Sequence, residues 1–306
     1  MHLKDIFNNI LTYFGIISRV FCIFKKSILN FPTYIEKKIY FDIMIGELMR
    51  FAKLHADGND FVFIGSPSQS FRPSEKLIQA ICNRHYGIGA DCAVIIQRSK
   101  TADYYMRVFN PDGFEAEICG NALRCSAEYV RASGYIRHTS LTVETKSGIR
   151  CIKTDNDSII TEIGHALIAE GGTLFISNTP IPYHFVNIGN PHCVIVTNTL
   201  SDEEFYFFSP KIETNERFPQ GTNVEFVSIV SENEINMRVW ERGIGETLSC
   251  TTGSCASAAV GNALYHCSRN ISVNQKGGTT RVNILECGNI FVSGKCSLVF
   301  TGDYKL

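Results

Sequence analysis

Two stretches of the chain, "MRVFNPDGFEAEICGN" (residues 106–121) and "MRVWERGIGETLSCTT" (residues 237–252), align without a gap at an offset of 131 residues. The alignment matches Met-Arg-Val with Met-Arg-Val and places Cys119 opposite Cys250. Because a period of this length is the size of a domain, it excludes a solenoid of short repeats. The two stretches therefore indicate a duplicated domain.

The same offset holds upstream, where it pairs Gly58-Asn59 with Gly189-Asn190. Coincident matches over some sixty residues at one offset favour duplication over chance. We expect the first domain to comprise residues 49–165 with the C-terminal residues 289–306, and the second to comprise residues 166–288.

Each half contains β-rich runs followed by one buried helix. "YYMRVF" and "INMRVW" are typical of strands and end at the turn signals "NPDG" and "ERGIG". After the first cysteine, Leu123, Ala127 and Val130 recur at helical spacing, and Gly134 is a C-terminal stop signal. The second helix, "SCASAAVGNALYHC", is rich in small residues, which favour tight packing inside a curved sheet. The predicted fold is α/β: two pseudo-symmetric repeat domains, each a curved, mostly antiparallel β-sheet or barrel wrapped around a central helix.

Composition limits the classes of partner and location. The formal net charge is −1 over 306 residues, which argues against nucleic acid as a partner. The 12 cysteines have irregular spacing and no cleavable signal peptide is evident, so we expect reduced thiols and a cytoplasmic location. The x5 and x4 spacings of Cys119/Cys125 and Cys250/Cys255, without a His cluster, do not favour zinc.

Residues 1–48 differ from the rest of the chain. "IFNNILTYFGIISRVFCIF" (residues 6–24) is apolar but is interrupted by polar residues and one arginine, whereas a transmembrane helix needs about 20 predominantly apolar residues. We interpret residues 1–48 as an extension upstream of the true start or a dispensable segment, with membrane contact as the alternative.

A cysteine at a helix N-terminus has a definite chemical use. Free backbone N–H groups and the helix dipole bind anions there and are expected to lower the pKa of a cysteine from about 8.5. Two such helices that face each other would clamp one carboxylate and hold a sulfur on either side of it. That arrangement suits inversion at an α-carbon. One of the two cysteines, Cys119 or Cys250, would remove the α-proton as a thiolate, and the other would deliver a proton to the opposite face as a thiol.

Six motifs then occur in the order typical of one family: "HADGNDFVFI", "NRHYGIGADCAVII", "FNPDGFEAEICGNALRC", "NIGNPHCVIV", "GTNVEFV" and "VWERGIGETLSCTTGSCA". In these motifs the chain resembles the diaminopimelate epimerases from Met49 to about Leu306. The resemblance implies a cofactor-independent isomerase that interconverts LL- and meso-2,6-diaminopimelate for lysine and peptidoglycan synthesis. It implies a small-molecule substrate and no metal, and it leaves the oligomeric state open between monomer and homodimer.

The resemblance also assigns roles to residues. It makes Cys119 and Cys250 the acid/base thiols and places His192 beside them, where it would influence their protonation. The reacting carboxylate and amine would be bound by Asn59, Asn190, Gly120, Asn121, Thr251 and Thr252. The distal amino-acid end would be bound by Asn110, Asn223, Glu241 and Arg242. Arg242 suits a carboxylate and Glu241 an ammonium.

Four departures from the family pattern lie near these residues. Thr251 replaces the usual Gly after the second cysteine, Ala122 replaces a common Gly, and Cys92 stands near the substrate where relatives carry Gly or a polar residue. The early loop reads "HADGND" in place of "HGLGND". They leave open a different substrate preference or a lower rate.

Three alternative functions are compatible with the sequence. Another amino-acid racemase on the same two-cysteine fold would not need the Glu241-Arg242 pair for a second zwitterionic end. A thiol-redox or zinc-binding module would use Cys119 and Cys250 as a disulfide or as ligands. A membrane-tethered, non-catalytic relative depends only on the N-terminal segment. A pyridoxal mechanism is disfavoured because no lysine lies in the core of these motifs.

Overall fold

A computed structural model describes residues 44–45, 48–116, 119–155 and 158–306. The predictions for residues 1–48 lie outside this part of the chain, apart from Leu48 and the short strand β1 (Met44–Ile45), which pairs with the strand that begins at Leu48. None of the helices in the described residues is long and apolar enough to cross a membrane.

Eighteen strands and four helices make up the described chain. The remaining strands of the first half are β2 (Leu48–Ala56), β3 (Asn59–Gly65), β4 (Cys92–Gln97), β5 (Tyr104–Phe109), β6 (Ser140–Thr145), β7 (Gly148–Asp155) and β8 (Ser158–His165). Those that follow are β9 (Leu167–Ile176), β10 (Thr179–Asn187), β11 (Pro191–Val196), β12 (Asn223–Ser231), β13 (Glu234–Glu241), β14 (Gly245–Glu246), β15 (Asn270–Gln275), β16 (Gly278–Ile284), β17 (Asn289–Gly294) and β18 (Ser297–Lys305). The helices are α1 (Glu75–Cys82), α2 (Gly120–Ala132), α3 (Asp202–Glu213) and α4 (Thr251–Leu264).

The strand order repeats the symmetry of the sequence. The hydrogen-bonded ladder runs β18-β2-β3-β4-β5-β6-β7-β8-β17-β16-β15-β13-β12-β11-β10-β9. The centre of this ladder lies between β8 and β17. Counted outward from there, each strand of one half has a counterpart in the other half at the same number of strands from the centre. Most pairings are antiparallel, and the parallel pairs also correspond: β3–β4 with β11–β12, and β5–β6 with β13–β15.

The chain crosses between the halves near its end. β17 pairs with β8 of the first half and with β16 of the second, and β18 then pairs with β2. Because β17 contacts both halves, the division that assigns residues 289–306 to the first domain remains a proposal.

One helix lies inside each half of the sheet. Leu123, Ala127 and Val130 of α2 are fully buried, and Gly134 adopts a positive φ of 71° directly after the helix, as the helical spacing predicts. α4 is buried throughout residues 251–261, which its small side chains allow because the surrounding strands can approach on every side. α1 and α3 pack on the outside through side chains such as Ile78 and Phe205. The sheet-dominated α/β fold with two repeated halves is therefore confirmed.

The repeated Arg and Glu of the two aligned stretches form equivalent ion pairs. Arg107 donates two hydrogen bonds to Glu115, at 2.9 and 2.7 Å, and Arg238 donates two to Glu246, at 3.1 and 2.9 Å. Each pair links a strand to the segment that precedes the cysteine. The chain segments that precede the two cysteines are therefore held by equivalent ion pairs.

Candidate active site

The two aligned cysteines occupy the same backbone position in the two halves. Cys119 is the N-cap of α2, with φ −135° and ψ 114°, and Cys250 is the N-cap of α4, with φ −132° and ψ 115°. Cys250 is buried, whereas Cys119 is partly exposed. Both cysteines therefore lie at helix N-termini, where the sequence places them.

The two helix N-termini meet end to end. A Cβ atom at Gly120 would lie 2.5 Å from Thr251 Cγ2 and 2.7 Å from Thr251 Cβ, so only a glycine fits opposite this threonine. The Thr251 hydroxyl donates to Asn121 Oδ1 at 2.6 Å. The Thr251 side chain thus fills the space between the two helix N-termini.

In the first half, the asparagine that begins β3 contacts both the cysteine and its helix. Asn59 Oδ1 accepts a hydrogen bond from Asn121 Nδ2 at 3.1 Å and lies 3.9 Å from Cys119 Sγ. Asn59 Nδ2 donates to Asp91 Oδ2 at 2.9 Å, which fixes the orientation of the amide. The carbonyl oxygen of Asn59 therefore faces the first cysteine.

The second half repeats this arrangement with a threonine in place of Asn121. Asn190 Nδ2 donates to Thr252 Oγ1 at 3.4 Å, and that hydroxyl lies 3.4 Å from Cys250 Sγ. Both Asn59 and Asn190 follow a glycine with a positive φ, 82° at Gly58 and 103° at Gly189. The equivalent turns hold equivalent polar groups next to the two thiols.

His192 connects this second half of the site to a buried carboxylate. Its Nε2 lies 3.0 Å from Asn190 Oδ1, and its Nδ1 lies 2.6 Å from Glu225 Oε1. Both His192 and Glu225 are fully buried. The ring therefore lies between Glu225 and Asn190, and Asn190 in turn contacts Thr252, whose hydroxyl lies next to Cys250.

Glu241 and Arg242, both predicted to bind the distal end of a substrate, differ in their surroundings. Glu241 accepts a hydrogen bond from Thr247, and its charge contributes to raising the pKa of both Cys119 and Cys250. Burial raises the pKa of Glu241 itself to about 7. Arg242 is exposed and donates from Nη1 to the carbonyl oxygen of Gln220 at 3.1 Å.

The two asparagines assigned to the distal end differ in their surroundings. Asn223 donates to the Pro191 carbonyl oxygen at 2.9 Å and accepts from the Arg242 amide at 3.0 Å, so its side chain ties two strand ends together. Asn110 accepts from Cys92 at a sulfur–oxygen distance of 3.8 Å. Cys92 is buried and lies near Cys119, whose charge contributes to raising its pKa after the larger effect of burial.

The expected lowering of the cysteine pKa values is not found. Burial raises the pKa of Cys119 to about 12, and the amides of Asn121 and Ala122 counter this only in part. Burial also raises the pKa of Cys250 well above its usual range, and the charges of Glu241 and Glu225 raise it further. The loss of hydration of a thiolate thus outweighs the helix N-terminus, because the first amides of a helix offer only a few partial charges.

Several residues that sequence reasoning did not single out support the site. Glu225 holds His192, Arg124 donates to Asn121, and Gln275 accepts from the Cys250 amide at 2.7 Å. Glu225 and Arg124 lie within the quoted motifs "GTNVEFV" and "CGNALRC", where a charged residue amid small or apolar neighbours was the available signal. Within residues 48–116, 119–155 and 158–306, no group of three or more His, Cys, Asp or Glu side chains is arranged to hold a metal ion.

A family model described as "Diaminopimelate epimerase" matches residues 51–168 and 184–299, which is more than half of the chain. The chain belongs to the diaminopimelate epimerase family. A diaminopimelate epimerase of Pelotomaculum thermopropionicum is 37% identical over 276 residues, covering 84% of this chain and 99% of the relative. Membership of the family makes the chain an epimerase, and therefore an isomerase.

Two solved structures have the same fold at low sequence identity. A phenazine biosynthesis protein of the PhzF family from Bacillus anthracis has a TM-score of 0.67 at 16% identity, over 85% of this chain and 100% of the other. A hydroxyproline epimerase from Agrobacterium vitis, with bound trans-4-hydroxy-L-proline, has a TM-score of 0.68 at 14% identity, over 85% and 93%. The diaminopimelate epimerase family thus shares its architecture with proteins of other activities, so the substrate must be argued from the site.

Proposed function

We propose that the chain epimerises LL-2,6-diaminopimelate to meso-diaminopimelate without a cofactor, using Cys119 and Cys250 as the two acid/base groups. The observation that carries this proposal is the equivalence of the two thiols. They cap two buried helices with nearly identical dihedral angles, and the N-termini of these helices touch. An α-carbon held between the thiols would have one sulfur on each face.

The raised pKa values of the two thiols have opposite effects on this reaction. A thiolate whose pKa is raised is a stronger base toward the α-C–H of an amino acid, but a smaller fraction of the thiol is ionised at neutral pH. When one thiol ionises, its charge disfavours ionisation of the other, so the pair carries at most one negative charge. One thiolate and one thiol are what a two-base inversion requires in each direction.

The first turns of α2 and α4 would bind the reacting carboxylate. The amides of Gly120, Asn121, Thr251 and Thr252 lie there, at the positive ends of both helices. Negative charge builds up on the carboxylate as the α-proton leaves, so these amides stabilise the transition state more than the ground state. Asn59 and Asn190 would bind the α-ammonium group through their side-chain oxygens.

The distal end of the substrate separates diaminopimelate from other amino acids. Glu241 would pair with the distal ammonium, and the exposed guanidinium of Arg242 would bind the distal carboxylate. A substrate of another racemase, such as proline, has no second zwitterionic end and would leave both charges unused. This favours diaminopimelate over the substrates of related racemases.

The test is exchange of the α-proton of LL-diaminopimelate in heavy water under reducing conditions, followed by NMR. The parent should incorporate deuterium and form the meso isomer, and Cys119→Ala and Cys250→Ala should each abolish the conversion. Cys267→Ala is the matched control, because Cys267 is a buried cysteine just past the other end of α4. Proline under the same conditions should not exchange.

Two results would contradict the proposal. A parent that shows no α-exchange with diaminopimelate would exclude the substrate, and a Cys119→Ala or Cys250→Ala variant that epimerises at the parent rate would exclude the two-thiol mechanism. We expect the epimerase activity to survive exhaustive dialysis against a chelator. Loss of the activity on dialysis, with recovery when zinc is added, would favour a metal-dependent reaction.

A further inference from the structure

The side chain of Asn121 makes hydrogen bonds in every direction. Its Oδ1 accepts from the Thr251 hydroxyl at 2.6 Å and from Arg124 Nη2, and its Nδ2 donates to Asn59 Oδ1 at 3.1 Å and to Ser249 Oγ at 3.2 Å. Only 2% of the residue is exposed. Because both amide protons and both oxygen lone pairs are used within the protein, the Asn121 side chain is a structural joint, and only its backbone amide remains for a substrate.

This joint spans the two halves of the molecule. Asn121 and Asn59 belong to the first half, whereas Thr251 and Ser249 flank Cys250 in the second. The hydrogen bond from Thr251 connects the first residue of α4 to the second residue of α2. It therefore joins the two helices that begin at the two cysteines.

A buried cation holds the Asn121 carbonyl in place. Arg124, one turn further along α2, is fully buried and donates from the same Nη2 to Asn121 Oδ1 and to Asp57 Oδ2, the latter at 2.9 Å. Its guanidinium occupies the space above Gly294 where a Cβ would otherwise lie. With the buried charge of Arg124 balanced by Asp57, the Asn121 oxygen is fixed toward Thr251.

We propose that Thr251 is a positioning residue of the epimerase: its hydroxyl, through the Asn121 amide that Arg124 holds, fixes the spacing of the two thiol-bearing helix N-termini. The Thr251 methyl group contributes by packing against the Cα of Gly120. The inference rests on the proposed two-thiol function for its kinetic consequence, whereas the hydrogen bond itself does not depend on the substrate. A glycine at position 251 could make neither the hydrogen bond nor the methyl contact.

The spacing matters because both sulfurs must reach one carbon atom. A displacement of about 1 Å in a catalytic group can lower a rate by about a hundredfold. Loss of the hydroxyl would leave the helix ends in contact but no longer joined, so the population of productive geometry would fall. This effect lowers kcat, whereas loss of a direct contact with the bound substrate would raise KM.

The test compares Thr251→Val, which keeps the shape and removes the hydroxyl, with Thr251→Ser, which keeps the hydroxyl. We expect Thr251→Val to lower kcat for diaminopimelate about tenfold or more with KM within about twofold of the parent, and to lower Tm by about 2–5 °C. Thr251→Ser should stay within about twofold in kcat. The matched control is Thr161→Val, since Thr161 is also fully buried and its hydroxyl has no hydrogen-bond partner among the described residues.

A stability cycle tests the bridge without reference to activity. In an Asn121→Ala background, Thr251→Val should produce no further loss of Tm, because the acceptor is already absent. Equal kcat and Tm values for Thr251→Val and Thr251→Ser would overturn the proposal, as would a Thr251→Val variant whose defect lies entirely in KM. If the parent does not epimerise diaminopimelate, the proposed function fails, and the Tm values still decide whether the bridge exists.

Discussion

The contact between Gly120 and Thr251 yields a prediction with a calculable size. In Gly120→Ala the new Cβ would lie 2.5 Å from Thr251 Cγ2 and 2.7 Å from Thr251 Cβ. Carbon atoms pack at about 3.5–4.0 Å, so the two helix ends must separate by roughly 1 Å. Rotation of the Thr251 side chain about χ1 does not relieve the contact, because its Cβ stays where it is. The backbone of one helix has to move.

The free energy of this movement follows from known overpacking costs. Extra atoms in a packed core cost about 1–3 kcal/mol, and replacing a helical glycine by alanine returns about 0.5–1 kcal/mol. At the middle of these ranges the net loss is about 1 kcal/mol, which corresponds to a Tm that is about 2–4 °C lower in a protein of this size. A shift of roughly 1 Å between the two cysteines should also lower kcat about a hundredfold.

The assay is calorimetric unfolding together with the exchange of the α-proton of diaminopimelate in heavy water. The matched control is Thr251→Gly, which removes the atoms that the new Cβ would meet. Gly120→Ala combined with Thr251→Gly should behave like Thr251→Gly alone in both measurements. The reasoning is refuted if Gly120→Ala alone matches the parent, or if its penalty is unchanged when Thr251 is glycine.

Three further predictions concern single residues. Because burial raises the pKa of Glu241 to about 7, its carboxyl group is neutral at lower pH, and KM for diaminopimelate should fall as pH rises through about 7. Glu241→Gln should remove this pH dependence of KM. A KM that is constant between about pH 6 and 8 in the parent would argue against the role of Glu241. Glu225→Gln removes the charged partner of the buried His192 and should lower the free energy of unfolding in urea by about 1.5–3 kcal/mol. His138→Gln, at an exposed position, should leave the free energy of unfolding unchanged. Equal unfolding midpoints for the two variants would show that the Glu225–His192 pair does not stabilise the protein. Ala122→Gly removes a fully buried methyl group from α2, so we expect a loss of about 1 kcal/mol in the same unfolding assay. A gain in stability would contradict this.

The repeat made the architecture predictable before any contact was known. Cys119 and Cys250 align at one offset, and the structure gives them the same backbone angles at the starts of α2 and α4. Gly134 ends the first helix as its position indicates. These features are local, because capping and helical periodicity depend on residues within a few positions of each other, and duplication copies them unchanged.

The roles of the polar side chains were less predictable. Asn121 and Asn223 belong to the predicted binding set, yet the amides of both are hydrogen-bonded within the protein. Arg124 and Glu225 lie inside the quoted motifs, but their partners Asp57 and His192 could be identified only once distant segments were packed together. A sequence names the groups that are present, whereas their use depends on which neighbours folding brings within hydrogen-bond distance.

The sequence by itself therefore determined that the molecule is duplicated, that each half buries one helix, and that a cysteine stands at the start of each. Only the tertiary structure decided that Thr251 fits against Gly120 and that burial raises the pKa values of both thiols. The physical reason is that a helix N-terminus is defined by neighbouring residues, whereas desolvation and steric contact are also set by atoms from other segments of the chain, as at Gly120 and Thr251. The same helix ends that favour a thiolate are enclosed by a sheet that disfavours it, and the balance depends on how closely the two halves pack.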